Sequence, residues 1–125
     1  MSEENLEVVR AIYDAWANGQ LGRRYMSKDV EYVNPPQALE LGTRTGAASF
    51  NNVFEVYEQI AIDIDELIDA GNKVVMVGRM RGRARATGIE LDRPHSQVWT
   101  LEGGRATRME WFHDAAEARE AAGLR

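Results

Sequence analysis

The sequence contains no cysteine among its 125 residues. Disulfide bonds, a cysteine nucleophile and a thiolate metal site are therefore excluded. The chain has only two histidines, and neither is surrounded by well-placed acidic residues. We therefore expect no metal site.

Long apolar runs are also missing. None approaches the roughly 18–20 residues of a membrane-spanning helix, and the N-terminal segment MSEENLEVV lacks the basic and apolar parts of a signal peptide. The net charge is −5, which argues against a nucleic acid or an anionic membrane as partner. We expect a cytoplasmic protein.

The composition favours a single compact domain over residues 1–125. Hydrophobic residues make up 44% of the chain and charged residues 28%. This balance is typical of a globular chain that is long enough to bury one core.

Helical patterns fill most of the first half. The first helix is predicted at 2–18 and ends at Gly19, and a short helix or turn follows at 20–28. A third helix is predicted to begin at a cap formed by Thr43 or Thr45. The apolar side chains that define the first and third helices are spaced for one buried face: Leu6, Val9, Tyr13 and Trp16, then Phe50, Val53, Phe54, Tyr57 and Ile60.

Strand patterns begin with 30–34, which Pro35 and Pro36 terminate. In the next strand, Ile62 and Ile64 alternate with aspartates. Continued without interruption, this alternation places Glu66 on the apolar face, where a desolvated carboxylate could serve as an acid or base. The alternative is a bulge at Asp65 and Glu66 that returns the charge to water, and we favour the bulge.

The segment 73–87 has two contrasting faces. One carries small and apolar residues, and the other carries four arginines at alternate positions, Arg79, Arg81, Arg83 and Arg85. An anion or nucleic-acid site is one interpretation. We favour a solvated outer face on which the arginines pair with acids of neighbouring strands, because no aromatic residues lie between them. Ile89 and Leu91 begin another strand, which Arg93 and Pro94 are predicted to interrupt.

Residues 94–113 form the most informative stretch, with both histidines and two of the three tryptophans. They predict two strands joined by a tight turn at 102–104. One face carries His95, Gln97, Trp99 and Leu101 from the first strand, and Arg105, Thr107, Met109, Trp111 and His113 from the second. Large aromatics with a few polar groups indicate either a small-molecule pocket or an ordinary core with polar ends. A short helix follows from Asp114.

Helices that precede a run of long strands predict the α+β class. We expect about three helices packed on a strongly curved antiparallel sheet, shaped as a cone that encloses an apolar cavity.

Several segments together resemble the SnoaL-like branch of the nuclear transport factor two-like superfamily, which includes polyketide cyclases and ketosteroid isomerase. They are EVVRAIYDAWANG, VEYVNPP, GTRTG, VWTLEGGRATRMEWFHD and EAREAAGL. The resemblance covers nearly the whole chain and implies a cone with a deep apolar cavity. It also implies a homodimer formed through the sheet and no cofactor.

The catalytic residues of ketosteroid isomerase do not carry over. The position of its general-base aspartate is Asn34, and an amide cannot abstract a proton. Its oxyanion-hole tyrosine falls at Ile12, and the neighbouring Tyr13 points too far round the helix to replace it. Its protonated aspartate falls near Gln97, which could still donate a hydrogen bond.

SnoaL-type cyclases use an acid–base group inside the cavity, and here the predicted catalytic residues are His113 and Glu66. Asn34 and Gln97 would orient a carbonyl or enolate oxygen, and aromatic side chains would form the walls. The complete set of predicted ligand-binding residues is Tyr13, Trp16, Asn34, Tyr57, Gln97, Trp99, Met109 and Trp111.

These residues suggest a small-molecule-binding protein that acts as a cofactor-free isomerase, cyclase or dehydratase. The ligand would be an apolar polyketide- or terpenoid-like carbonyl compound. Two alternatives remain open: a non-catalytic binder of an apolar ligand, and a dimeric scaffold whose cavity is filled by its own tryptophan and methionine side chains.

Overall fold

The computed structural model of the chain describes residues 2–35, 42–51, 55 and 57–124. They form an α+β fold, which confirms the predicted class. The elements are helix α1 (Ser2–Ala17), a 3₁₀ turn (Arg23–Tyr25), β1 (Met26–Val33), β2 (Thr43–Thr45), a second 3₁₀ turn (Ala47–Phe50), β3 (Tyr57–Ala70), β4 (Lys73–Ala84), β5 (Glu90–Glu102), β6 (Arg105–Phe112) and helix α2 (Ala115–Ala121).

The six strands form one sheet in the order β2-β1-β6-β5-β4-β3. Every neighbouring pair is antiparallel except β1 and β6, which run parallel. The sheet is therefore mixed, with one parallel pair in the antiparallel arrangement that the sequence predicts. The residue pattern within β1 predicts a strand, but it carries no information about which later strand will be its neighbour.

The sheet is covered on both faces. Helix α1 packs on what we call the inner face, where Val9 and Ile12 are fully buried against Val74, Met76 and Trp99. Helix α2 covers part of the outer face, where Ala118 contacts a cluster built on Val75, Val98 and Phe112. Asp114 begins α2 as predicted, because its carboxylate accepts a hydrogen bond from the amide of Ala116 at 2.8 Å.

The predicted third helix does not extend to its last residues. Tyr57 and Ile60 lie in β3, paired with β4, and Val53 and Phe54 lie outside the described residues. Tertiary pairing overrides the helical spacing here. Ile60 packs over Gly82, where an added Cβ would come within 3.1 Å of its terminal methyl, so the glycine makes room for the strand.

A bulge in β3 sets the direction of Glu66, as favoured from the sequence. Ile64 pairs with Gly78 and Glu66 with Val77, which leaves Asp65 as the extra residue. After this bulge Leu67 faces the inner core and Glu66 faces outward. The apolar alternation of the strand is preserved without burying a charge.

Two expectations for the last strands were wrong. First, β5 continues through Arg93 and Pro94. β6 pairs with β5 only from Ser96 onward, so Pro94 lies where that side of the strand has no β6 partner. Second, Thr107 does not share a face with Met109, because a shift between Thr100 and Leu101 makes Thr107 the extra residue.

Candidate functional site

A chain of buried hydrogen bonds joins α1 to β5 on the inner face. The indole Nε1 of Trp99 donates to the hydroxyl of Tyr13 at 2.8 Å. The Tyr13 hydroxyl donates to Oε1 of Gln97 at 2.5 Å, and Nε2 of Gln97 lies 3.0 Å from Nε2 of His95. All four side chains are buried, so a polar path crosses an otherwise apolar core.

The direction of this chain follows from its first member. An indole N–H can only donate, so the Tyr13 hydroxyl accepts from Trp99. The hydroxyl keeps its own hydrogen as a donor, and its hydrogen bond to Oε1 of Gln97 uses that hydrogen. The Gln97 carbonyl therefore faces Tyr13, and its amide nitrogen faces His95. A nitrogen that accepts a hydrogen bond from an amide N–H must offer a lone pair. His95 therefore accepts at Nε2, and its neutral ring carries the proton on Nδ1.

Burial fixes the charge state of the two titratable members. It raises the pKa of the Tyr13 phenol far above its usual range, and the hydrogen bond from Trp99 opposes this only in part. Burial also lowers the pKa of His95 to about 4, with smaller electrostatic contributions from nearby Arg93 and His113 in the same direction. Near neutral pH both side chains are uncharged hydrogen-bonding groups.

The position of Tyr13 corrects a sequence-based expectation. Ile12 is fully buried in the core, and Tyr13 does reach Gln97. Neighbouring residues on a helix project about 100° apart, yet both project towards the sheet because α1 lies against it with a wide apolar face. The tyrosine and glutamine named by the family comparison are thus hydrogen-bonded to each other.

Gly78 supports the same region from the adjacent strand. It lies directly across from His95 in the β4–β5 pairing. A Cβ at this position would meet the backbone oxygen of Asp63 at 2.0 Å, which no side chain tolerates. The glycine therefore lets β3 approach β4 closely beside His95.

A second polar contact lies next to this chain. The indole Nε1 of Trp111 donates to Oδ1 of Asn34 at 2.8 Å. The Trp111 ring is 5.7 Å from the His95 ring and 5.1 Å from the His113 ring, which it meets edge-on. Trp111 therefore brings His95, His113 and Asn34 together at one end of the inner face, and we call these four residues the histidine end.

Two buried nitrogens near this end have no hydrogen-bond partner within the described part of the chain. They are Nδ1 of His95 and Nε of Arg93. Arg93 and His95 are two residues apart on β5 and so project from the same face. The site residues predicted from the sequence included neither Arg93 nor His95. The signal that could have found them is their spacing: Arg93, His95 and Gln97 occupy every second position of one strand and so share a face.

Other predicted ligand-binding residues form an aromatic cluster. The ring centroids of Tyr13 and Trp16 are 5.4 Å apart, and those of Trp16 and Trp99 are 5.7 Å apart. The Phe50 ring stacks on the Trp99 ring with a centroid distance of 5.9 Å. Trp16 is also fixed by donating to the backbone oxygen of Leu21 at 3.0 Å. At this end of α1 the predicted cavity walls touch one another.

Met109 and Tyr57 complete the predicted set. Met109 is buried in the same core as the aromatic cluster, and Tyr57 is half-buried at the start of β3. The ligand-binding roles assigned from the sequence to the cluster residues, Met109 and Tyr57 stay predictions.

The structure does not bring Glu66 together with His113. Glu66 is on the outer face, and its carboxylate pairs with Arg119 of α2 at 3.0 Å. Its side chain is 53% exposed, so the desolvation that motivated its catalytic assignment is missing.

The arginines of β4 also lie on the outer face, where Arg79, Arg81 and Arg83 pair with Asp92, Asp63 and Glu90 at 2.6–3.0 Å. The hydrogen bond from Arg81 lowers the pKa of Asp63. These pairs confirm the interpretation of a solvated face whose arginines meet acids of neighbouring strands.

Two clefts open on described residues. One of about 410 Å³ lies between α1 and β3 and includes Arg10, Tyr13 and Leu67. The other, of about 650 Å³, lies on the outer face and includes Lys28, Glu31 and Arg108.

Over the described ranges, no group of three or more acidic residues and histidines is placed to hold a metal ion. No helix in the same ranges has the length and apolarity to span a membrane.

A sequence profile of the SnoaL-like domain matches residues 9–109 of the chain. Comparison with curated proteins finds no match. Among solved structures, the chain is similar to a nuclear transport factor two-like protein of unknown function from Burkholderia pseudomallei. That likeness has 27% identity and a TM-score of 0.76, over 94% of this chain and 95% of the other.

Two further structures are similar over most of both chains. TerC, co-crystallised with polyporic acid, has 26% identity and a TM-score of 0.75 over 96% of this chain and 98% of its own. A candidate SnoaL-like polyketide cyclase from Jannaschia sp. CCS1 has 21% identity and a TM-score of 0.77 over 99% and 94%. At 21% identity, the likeness to the Jannaschia protein shows a shared fold and carries no role over to this chain.

Proposed function

Because the chain belongs to the SnoaL-like domain family, we propose that it binds an apolar carbonyl compound at the histidine end. We further propose that it acts on this compound as a cofactor-free isomerase, cyclase or dehydratase. The proposal depends on one observation above all, the buried hydrogen-bond chain from Trp99 to His95.

This buried hydrogen-bond chain stabilises the fold less than apolar side chains in the same positions would. Buried polar groups lose their hydration, and an apolar core of the same shape avoids the loss. Here Tyr13, Gln97 and His95 lie in the core and hydrogen-bond to one another. A small number of oriented polar groups on an apolar surface is the usual composition of a small-molecule site.

His113 is the acid–base residue of the proposal. It follows β6 directly, is half-buried, and contacts the edge of the Trp111 ring. Trp111 is itself held by Asn34, so His113 is placed against a fixed aromatic wall. Histidine is the side chain most often used for general acid–base catalysis, and an α-proton of a carbonyl ligand stacked on Trp111 would lie within its reach.

The similarity to TerC supports a small organic molecule as ligand. TerC was co-crystallised with polyporic acid, and its fold and length match those of this chain. We propose a ligand of comparable character here, with an oxygen substituent directed at the histidine end.

Hydrogen–deuterium exchange at an activated methylene tests this chemistry. With 2-tetralone in D₂O, wild-type protein should accelerate loss of the α-proton NMR signal. His113→Asn should lower the acceleration by about 10²-fold, the size expected for removing a general base. Glu66→Gln is the matched control and should keep the wild-type rate. Equal rates for wild type and His113→Asn would contradict the proposal.

A ligand-free scaffold is the second candidate. It is favoured by the aromatic cluster, in which Phe50 and Trp16 fill the space next to Trp99. Thermal shift separates the two functions, because a ligand at 100 times its dissociation constant adds about 2.7 kcal/mol to the free energy of unfolding. A scaffold gives no shift with any carbonyl compound and no co-purified molecule in native mass spectrometry.

We propose a homodimer formed through the outer face. The cleft there mixes Lys28 and Arg108 with Asp29 and Glu31, and a surface with both charge signs can complement itself about a two-fold axis. Light scattering after gel filtration should give twice the mass of the chain. Arg108→Glu should shift the mass towards that of the monomer.

A further inference from the structure

Two buried donors face the histidine end from β5 without a partner in the described part of the chain. One is the Nδ1–H of His95, and the other is the Nε–H of Arg93. His95 is only 4% exposed, so water reaches its ring poorly. A buried donor left unpaired costs about 1–3 kcal/mol, and two such donors, two residues apart on the same face of β5, call for a common explanation.

We propose that Arg93 and His95 together bind a negatively charged oxygen, so that the ligands of this protein are organic anions: an ionised enol or a carboxylate on a planar apolar body. This inference rests on the proposed function, because it assumes that the ligand occupies the histidine end. It adds the charge of the ligand and the two side chains that recognise it.

The charge of Arg93 is the first argument. Arg79, Arg81 and Arg83 on β4 each contact a carboxylate on the outer face. Arg93 projects from the other face, and its Nε has no acceptor among the described residues. A buried guanidinium N–H needs an acceptor, and an anionic oxygen forms the strongest hydrogen bond with it.

The tautomer of His95 is the second argument. The hydrogen-bond chain from Trp99 through Tyr13 and Gln97 requires Nε2 of His95 to accept. Nδ1 must then carry the proton and can only donate, since burial keeps the ring neutral near pH 7. Both unpaired groups are therefore donors, which selects a ligand oxygen rich in lone pairs and excludes a ligand hydroxyl acting as donor.

The surroundings specify the rest of the ligand. The Trp111 ring lies 5.7 Å from the His95 ring and is tilted by 32°. Met80, which is 7% exposed, lies across from Arg93 in the β4–β5 pairing. An aromatic ring and a thioether offer a flat, polarisable surface, which suits a planar body.

General attraction to the protein surface predicts the opposite preference. The chain carries a net charge of −5, so an anion gains nothing from the overall field. Preferential binding of anions therefore requires local donors.

A pair of probes that differ in charge tests the inference. 2-Hydroxy-1,4-naphthoquinone is an ionised enol at pH 7.5, and 2-methoxy-1,4-naphthoquinone is its neutral methyl ether. The absence of cysteine removes thiol addition as a side reaction. Calorimetry and quenching of tryptophan fluorescence should show the anion binding at least tenfold more tightly than the ether.

Four variants locate the effect. Arg93→Gln should weaken binding of the anion about 10- to 100-fold, as expected for a lost charge-assisted hydrogen bond. It should change the affinity for the ether less than threefold. Arg93→Lys should recover part of the affinity. His95→Gln keeps an acceptor for the Gln97 amide and removes the Nδ1 donor, so it should weaken binding of the anion about tenfold. Arg79→Gln makes the same charge change on the outer face and should have no effect.

The outcomes separate this inference from the proposed function. If both probes bind equally and Arg93→Gln changes neither, the anion site is wrong while ligand binding at this end stands. If Arg79→Gln weakens binding of the anion as much as Arg93→Gln does, the preference for anions comes from long-range electrostatics and the proposed local site is wrong. If neither probe binds, ligand binding and the anion site are both overturned. Circular dichroism confirms that each variant is folded.

Discussion

The hydroxyl of Tyr13 on α1 donates to Oε1 of Gln97 on β5 over 2.5 Å, although 84 residues separate them in the sequence. Trp99 donates to the same hydroxyl, and Oε1 of Gln97 accepts the hydroxyl's own hydrogen. Reversing the Gln97 amide would therefore leave the buried Tyr13 O–H without this acceptor. This one relationship determines how Gln97 is oriented, which nitrogen of His95 is protonated, and which groups remain to meet a ligand.

Removing the Tyr13 hydroxyl should therefore destabilise the fold strongly. In Tyr13→Phe, the Nε1 of Trp99 loses its acceptor and Oε1 of Gln97 loses its donor, both in a buried site. We expect the free energy of unfolding to fall by about 2–4 kcal/mol, measured by urea denaturation. Tyr25→Phe removes a hydroxyl from a half-buried ring and should change stability by less than about 0.5 kcal/mol. A loss below about 1 kcal/mol for Tyr13→Phe would contradict the buried chain.

Stability should depend on pH through His95. Its pKa is lowered from 6.5 to about 4 in the folded protein, so between these values the unfolded chain binds more protons. The contribution of neutral His95 to the free energy of unfolding is complete above pH 6.5. It is lost as the pH falls towards 4, by up to roughly 3 kcal/mol. The measurement is urea denaturation of wild type and His95→Gln between pH 7.5 and 4.5. The stability difference between the two proteins should change with pH, and a constant difference would show that His95 does not titrate with a lowered pKa.

Gly78→Ala should disrupt the sheet beside His95. The added Cβ would lie 2.0 Å from the backbone oxygen of Asp63, and backbone cannot move away as a side chain can. We expect a loss of more than about 3 kcal/mol, measured by thermal and urea unfolding. Gly82→Ala is the matched change on the same strand. Its Cβ meets the flexible end of Ile60 at 3.1 Å, so its loss should stay below about 1.5 kcal/mol. Equal losses would contradict the close approach of β3 and β4.

Glu66→Gln should have little effect on stability. Its partner Arg119 has a side chain that is 38% exposed, and exposed ion pairs contribute about 0–1 kcal/mol. We expect a change within about 0.5 kcal/mol by urea denaturation. A large loss would mean that the carboxylate has a buried role that its outward position does not explain.

The sequence predicts those features that depend on local pattern. The stripe from Leu6 to Trp16 predicts α1, and the alternation of apolar and acidic residues in β3 predicts both the strand and the bulge near Glu66. The glycine pair 103–104 predicts the last turn. Each of these follows from periodicity or from the conformational needs of a few adjacent residues.

Other features depend on partners that are distant in the sequence. The helical spacing of Tyr57 and Ile60 gives way to pairing with β4, and Pro94 continues β5 because β6 pairs only from Ser96 onward. The meeting of Tyr13 with Gln97 depends on how α1 lies across the sheet. The protonation site of His95 depends in turn on that contact, so no local pattern could have specified it.

The protonation state of His95 tests the central claim most directly. In ¹⁵N-labelled protein at pH 7.5, long-range ¹H–¹⁵N correlation spectra distinguish the two neutral tautomers, and His113→Asn assigns the signals because the chain has only two histidines. We predict that Nδ1 of His95 carries the proton and that Nε2 is the acceptor. A proton on Nε2 would reverse the hydrogen-bond chain, make Nδ1 an acceptor, and contradict both the orientation of Gln97 and the anion site.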